Sequence, residues 1–160
     1  MAKGSDDTGV ITNSIRTNKQ VYEFGEQINL YGQLVNNGTV PVRINKRFLI
    51  HLDLQPTVIR LDTREKMTWL PPPMPTPLGE GSFFLILPGE KEDYRLGGLE
   101  RHLTVSQFEG GNPAPGKYSI QVKYVGIAKD PITHKTFEAW TGCVSSNTVE
   151  VAIISPGTVK

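Results

Sequence analysis

Gln27-Ile28-Asn29-Leu30-Tyr31-Gly32-Gln33-Leu34-Val35-Asn36-Asn37-Gly38 is the stretch that decides the fold. Ile28, Leu30, Gly32 and Leu34 occupy every second position, with Asn29, Tyr31 and Gln33 between them. Successive side chains of a strand point to opposite faces, so this period of two describes a half-buried strand of an antiparallel sheet. Asn36-Asn37-Gly38 ends it, because Asn and Gly accept the positive φ of a tight turn at least cost. The same phrase, a turn signal followed by alternation, recurs where Pro115-Gly116 leads into Lys117-Tyr118-Ser119-Ile120-Gln121-Val122-Lys123-Tyr124.

Working outward, residues 10–17 with Val21 and Tyr22 predict a first, edge-type strand broken near Asn18-Lys19. Val42, Ile44, Phe48, Ile50, Leu52 and Leu54 alternate with Arg43, Asn45, Arg47, His51 and Asp53. That pattern predicts either one long bent strand or two in line, with a bulge at Lys46. Residues 57–62 and 66–70 are shorter strand candidates. Residues 82–87, apolar throughout from Phe83, predict a strand covered on both faces. Pro88-Gly89-Glu90 turns the chain and residues 91–96 return it. Leu99 and Leu103 stand at helical spacing, which predicts one or two helical turns within 99–108. A last strand, 147–154, carries Val149, Val151 and Ile153 on one face.

Roughly eight or nine strands with little helix make an all-β Greek-key β-sandwich of two antiparallel sheets. Its expected core is Ile28, Leu30, Leu34, Val42, Ile44, Phe48, Ile50, Tyr118, Ile120, Val122, Val149 and Val151. The sandwich is expected over residues 10–155, after a flexible lead-in of 1–9 and before a tail of 156–160. A chain of 160 residues buries enough apolar surface to fold without staples, and the lone Cys143 allows no internal disulfide. The net charge of +1, from 17 basic and 16 acidic residues, supplies no field that would draw in nucleic acid or an anionic membrane. No stretch has the apolar length of a transmembrane helix. The polar start Met1-Ala2-Lys3-Gly4-Ser5-Asp6-Asp7 is expected either of a flexible lead-in or of a start left once an export signal is removed, and an extracytoplasmic (periplasmic or secreted) location is favoured if such a signal has been removed.

Chemistry-bearing residues are sparse. His51, His102 and His134 lie far apart and lack the short spacing of a metal site. They read as a strand's polar face, a surface turn and a loop, and Cys143 reads as a small buried hydrophobe. No nucleophile elbow, phosphate loop or metalloprotease motif is present, so neither enzyme activity, cofactor nor metal is expected. Arg43, Lys46, Arg47, Arg60, Arg64 and Lys66 are read as a solvated sheet face before an anion groove. Asn37-Gly38-Thr39 matches a glycosylation acceptor that its turn chemistry already explains. Trp69, Trp140 and Tyr31 are candidate stacking platforms for sugars, although a Trp of a sandwich is more often core.

Several motifs carry a family resemblance. Tyr22-Glu23-Phe24-Gly25-Glu26 is similar to the "Y-x-x-G-E" opening of bacterial immunoglobulin-like modules. Residues 35–42 are similar to their "N-N-G-x-x-P-V" hairpin, Leu87-Pro88-Gly89-Glu90 to their "L-x-P-G-E" turn, and Ser146-Asn147-Thr148-Val149 to their "S-N-x-V" last strand. Gly116-x-Tyr118-x-Ile120 looks like the tyrosine corner of immunoglobulin-like domains. Two relatives share this grammar, the intracellular proteinase inhibitor type and the cell-adhesion-related type. The resemblance implies an immunoglobulin-like sandwich, while the disulfide and buried Trp of antibody domains have no counterpart and the 57–81 insertion is longer than usual.

The expected function is a non-catalytic module with a structural or protein-binding role toward an unknown protein partner. A proteinase inhibitor presenting rigid Pro-rich loops and a carbohydrate-binding module are the alternatives. The expected contact surface is the crossover bearing Trp69, Pro71, Pro72, Pro73, Met74, Pro75, Pro77 and Leu78, since a polyproline-like segment loses little entropy on docking.

Overall fold

Alternation of buried and exposed side chains sorts the strands of the computed structural model, which describes residues 10–46, 53–66, 68–69, 77–96, 103–104 and 115–155. In chain order they are β1 (Ile11–Thr17), β2 (Val21–Glu23), β3 (Leu30–Asn36), β4 (Val42–Asn45), β5 (Leu54–Arg60), β6 (Glu65–Lys66), β7 (Thr68–Trp69), β8 (Phe83–Ile86), β9 (Lys91–Leu96), β10 (Leu103–Thr104), β11 (Gly116–Val125), β12 (Cys143–Ser145) and β13 (Val149–Ile154). One sheet runs β1-β3-β9 and the other β2-β13-β11-β5-β6, with β12 also paired to β11. Two-stranded ladders, β4-β8 and β7-β10, are also present among the described residues.

The protein is therefore an all-β, immunoglobulin-like sandwich. Ile11, Ile15, Leu30, Leu34 and Leu96 of the first sheet join Leu54, Val58, Ile120, Val122, Tyr124 and Val151 of the second in one apolar cluster. Ile28, Val42, Ile44 and Tyr118 are also buried, as the alternation predicts, while Val149 is half-buried against the cluster. Phe48 and Ile50 lie outside the described residues.

A buried polar bridge ties the layers together. Asn13 of β1 donates to the carbonyls of Val122 (3.0 Å) and Val144 (3.4 Å), and its Oδ1 accepts the Tyr94 hydroxyl at 2.6 Å. Tyr94 reaches that far because its ring lies across Gly32, its cross-strand partner; a Cβ there would sit 2.0 Å from the ring. Burial pushes the Tyr94 hydroxyl well above the usual phenol range.

The motifs that resemble a family turn out to be hydrogen-bonding devices. At Gly25-Glu26 and again at Gly89-Glu90 a glycine takes positive φ (87° and 83°), and the following Glu bonds back to the residue three before it. Glu26 accepts the Glu23 N–H at 2.9 Å and Glu90 the Leu87 N–H at 3.1 Å. Asn36, fully buried, joins the β3-β9 ladder to β4-β8: its Nδ2 donates to Ile86 O (2.8 Å) and Val40 O (2.9 Å), and its Oδ1 accepts the Gly38 N–H (2.8 Å). Asn147 imitates a strand, accepting from Ile15 N–H (2.7 Å) and donating to Ile15 O (3.1 Å).

β4 is the described part of the run expected from Val42 to Leu54, whose residues 47–52 lie outside the described set. Three expectations need correction. β8 is not covered on both faces, because its ladder with β4 leaves Leu85 and the following Leu87 in water. Leu103 and Thr104 are not helical but pair with Trp69 and Thr68. The sheets are not wholly antiparallel: after the break at Asn18-Lys19 the chain changes layer, and β2 runs parallel to β13. Tyr22 holds that break, its hydroxyl donating to Asn18 Oδ1 at 2.6 Å and accepting the Lys19 N–H at 3.1 Å.

Candidate functional site

Between β11 and β12 the chain makes an excursion over residues 126–142, anchored at its base by packing and locked at its tip by one carboxylate. Gly126 opens it because the Trp140 carbonyl passes 2.4 Å from where a Cβ would stand. Trp140 is buried and stacks on Tyr124, with centroids 5.9 Å apart, so it is a core residue and presents no sugar platform. Phe137 packs on Phe83 at 5.1 Å, and Leu78 completes that small cluster.

Asp130 organises the tip. It is buried, and its Oδ1 accepts the N–H groups of Ile132 (3.1 Å) and Leu78 (3.4 Å), while Oδ2 accepts the Thr133 hydroxyl at 2.5 Å. Its carbonyl takes the His134 N–H at 2.9 Å and its own N–H donates to Lys135 O at 2.8 Å. The Thr133 hydroxyl bond, followed by the backbone donors, holds the carboxyl below its ordinary range. His134 adopts a left-handed φ of 65°, and the Lys129–Thr136 bridge closes the loop. Pro131, Ile132, Thr133, His134 and Lys135 are left exposed on this frame. Ile132, at 54% exposure, stands among the more exposed large apolar side chains described.

The arrangement can present an apolar side chain flanked by cations without ordering anything first. Nothing in it resembles an acid/base pair. Among the described residues no group of three or more His, Cys, Asp and Glu could hold a metal ion.

The remaining sequence candidates fall as follows. Cys143 is exposed, contrary to expectation, because in the short β12 it is Val144 that packs against the core. Of the basic residues Arg47 lies outside the described set; Arg43 binds Glu80 (2.7 Å) and Glu138 O (3.0 Å), Arg60 binds Asp62 (2.8 Å) and Pro115 O (2.9 Å), and Lys46 stands 3.9 Å from Glu92. Of the proposed crossover contact, residues 71–76 lie outside the described set, as do His51, His102 and the side chain of Trp69. Pro77 is exposed, but Leu78 is not an apolar anchor for a partner, since it is buried under the loop. The crossover thus ends on the Asp130 carboxylate. Sequence reasoning missed Asp130, although Asp130-Pro131 is a turn-initiating pair whose Thr three positions on can close the turn.

No protein-family model matches the chain, and no curated protein matches it. Solved structures with similar architecture include the alkylpurine DNA glycosylase AlkC of Pseudomonas fluorescens (TM-score 0.45, 11% identity, covering 91% of this chain), of whose length the chain spans 30%. The sporulation control protein Spo0M of Bacillus subtilis gives a TM-score of 0.47 at 14% identity, with 91% of this chain and 50% of that one covered. The CARDB domain of the PF1109 protein of Pyrococcus furiosus, solved with di-metal ions, gives 0.41 at 12% identity, with 90% and 87% covered. The assignment of this chain to the sandwich class rests on its own ladders.

Proposed function

We propose that the protein is a non-catalytic immunoglobulin-like module that binds another protein, and that it does so with the loop of residues 129–136. The observation that carries this is the Asp130 carboxylate, which fixes the loop before any partner arrives and so lowers the entropy lost on docking. Ile132 at the apex, with Lys129 and Lys135 at the base, suits an apolar pocket rimmed by acidic groups. An extracytoplasmic location goes with this reading, and fractionation of the source cell checks it. The test of binding is co-precipitation from extracts of the source organism with three baits: wild type, Ile132→Glu and Asp130→Ala. A protein held by the wild type and lost from both variants supports the loop. A captured set indifferent to both substitutions overturns it.

The same rigidity also favours the inhibitor reading. There the apical Ile132 would enter a proteinase cleft, and a proteinase panel would show inhibition by the wild type that Ile132→Glu abolishes.

A further inference from the structure

The outer face of β1-β3-β9 carries two cross-strand rows that neither the core nor the loop uses. Arg16, Tyr31 and Arg95 are register partners in one, and Ser14, Gln33 and Asp93 in the other. The rows stand two residues, about 7 Å, apart along the strands. Between them runs a trough of about 340 Å³ at Ile15, Gly32 and Tyr94, the inward-facing row whose outer side is backbone.

The two rows offer different chemistry. Arg16 Cζ lies 4.7 Å and Arg95 Cζ 5.8 Å from the centre of the Tyr31 ring, so both guanidinium groups are placed by cation–π contact with one phenol. Neither forms an ion pair among the described residues, in contrast to Arg43 and Arg60, and the Tyr31 hydroxyl has no hydrogen-bond partner there either. With no carboxylate partner among the described residues, each guanidinium keeps its N–H donors for an anion from outside the chain. In the second row Gln33 Nε2 donates to Asp93 Oδ1 at 3.0 Å, which leaves the other Asp93 oxygen and the Gln33 carbonyl as acceptors. That row suits hydroxyl donors and opposes a second negative charge.

A carboxylate on one side of a hydroxyl-bearing ring matches both rows. We propose that this trough binds a uronic acid residue of an acidic polysaccharide. Its carboxylate is held by Arg16, which lines the trough, with Arg95 adding positive charge from the far end of the same row, and its ring hydroxyls by Asp93, Gln33 and Ser14. The site is separate from the 129–136 loop and does not depend on it.

The experiment is an NMR and calorimetric titration of the whole chain with trimers of galacturonate, mannuronate and glucuronate in turn. A neutral galactose trimer and inorganic phosphate serve as comparison probes. Saturable binding of at least one uronate trimer is expected, with shifts confined to the outward residues of β1, β3 and β9. Arg16→Ala should weaken it roughly tenfold or more, the scale of a lost charge-assisted hydrogen bond, and Arg95→Ala less. Both positions are exposed, so the variants keep the fold, which circular dichroism verifies. The proposal is overturned if no uronate binds, if phosphate or the neutral trimer binds as tightly, or if neither arginine substitution weakens binding.

Discussion

Gly32 illustrates how one missing methyl group organises the centre of the sandwich. The Tyr94 ring occupies the space a side chain would fill, and through that ring the hydroxyl reaches Asn13, which in turn bonds the opposite sheet. Gly32→Ala must push the ring aside, and the bridge with it. It should lower stability by roughly 1–3 kcal/mol, the usual cost of overpacking a filled core, as measured by urea denaturation. An unchanged midpoint would show that the ring moves freely. The alternation around Gly32 was legible in the sequence, since Ile28, Leu30 and Leu34 are buried as expected. The reason for a glycine among them was not, because the tyrosine that overlies it is 62 residues away and no local pattern links the two.

At the scale of the element, the Asp130 loop is held by a carboxylate whose native pKa is depressed, with the Thr133 hydroxyl as the leading cause. A depressed carboxyl stabilises above its unfolded value, near 3.8, and loses that contribution as pH falls through the lower native value. The Ile132 and His134 amides should therefore keep their hydrogen-exchange protection at pH 5 and lose it well below pH 4, before the strands open. Asp130→Asn, which removes the titrating group, should leave their behaviour flat over that interval. Simultaneous loss of loop and strand protection would show that the carboxylate is not what holds the tip. The strands themselves were readable wherever one face is wet. They were misread where every residue is apolar, as in β8, because hydrophobicity does not say which side has a neighbour. Segment 99–108 shows the complementary failure: Leu99 and Leu103 stand four apart, yet Leu103 belongs to a ladder whose partner, Trp69, is remote in sequence.

For the whole molecule, three buried tyrosines predict a loss of stability at alkaline pH. Tyr22, Tyr94 and Tyr118 are buried in the core, and burial raises the pKa of each above 10.0. A group whose native pKa is raised contributes stability fully below its unfolded pKa and forfeits it as pH climbs towards the native one. The thermal midpoint should therefore hold up to about pH 10 and fall steeply beyond it. Tyr94→Phe should flatten part of that fall while lowering the midpoint at neutral pH through loss of the Asn13 bond. A midpoint insensitive to pH between 10 and 12 would contradict the burial of these hydroxyls. The layered architecture was legible in the sequence because it depends on alternation and turns. The change of layer after β1 was legible only as an interruption at Asn18-Lys19, since nothing local says which sheet receives the next strand.

That change of layer bears on how the molecule would carry tension. β2 lies parallel to β13, bound by the Phe24 N–H to Ile154 O and the Ala152 N–H to Gln20 O, each at 2.8 Å. Pulling on opposite ends of two parallel neighbours slides one along the other, so these bonds and those of the ladder between them must stretch together before any gives way. Antiparallel neighbours pulled at a shared end would instead unzip one bond at a time. A chain stretched from its two ends loads the β1–β3 ladder first and then meets a shear clamp at β2 and β13, the joint at which a string of such modules would resist further extension.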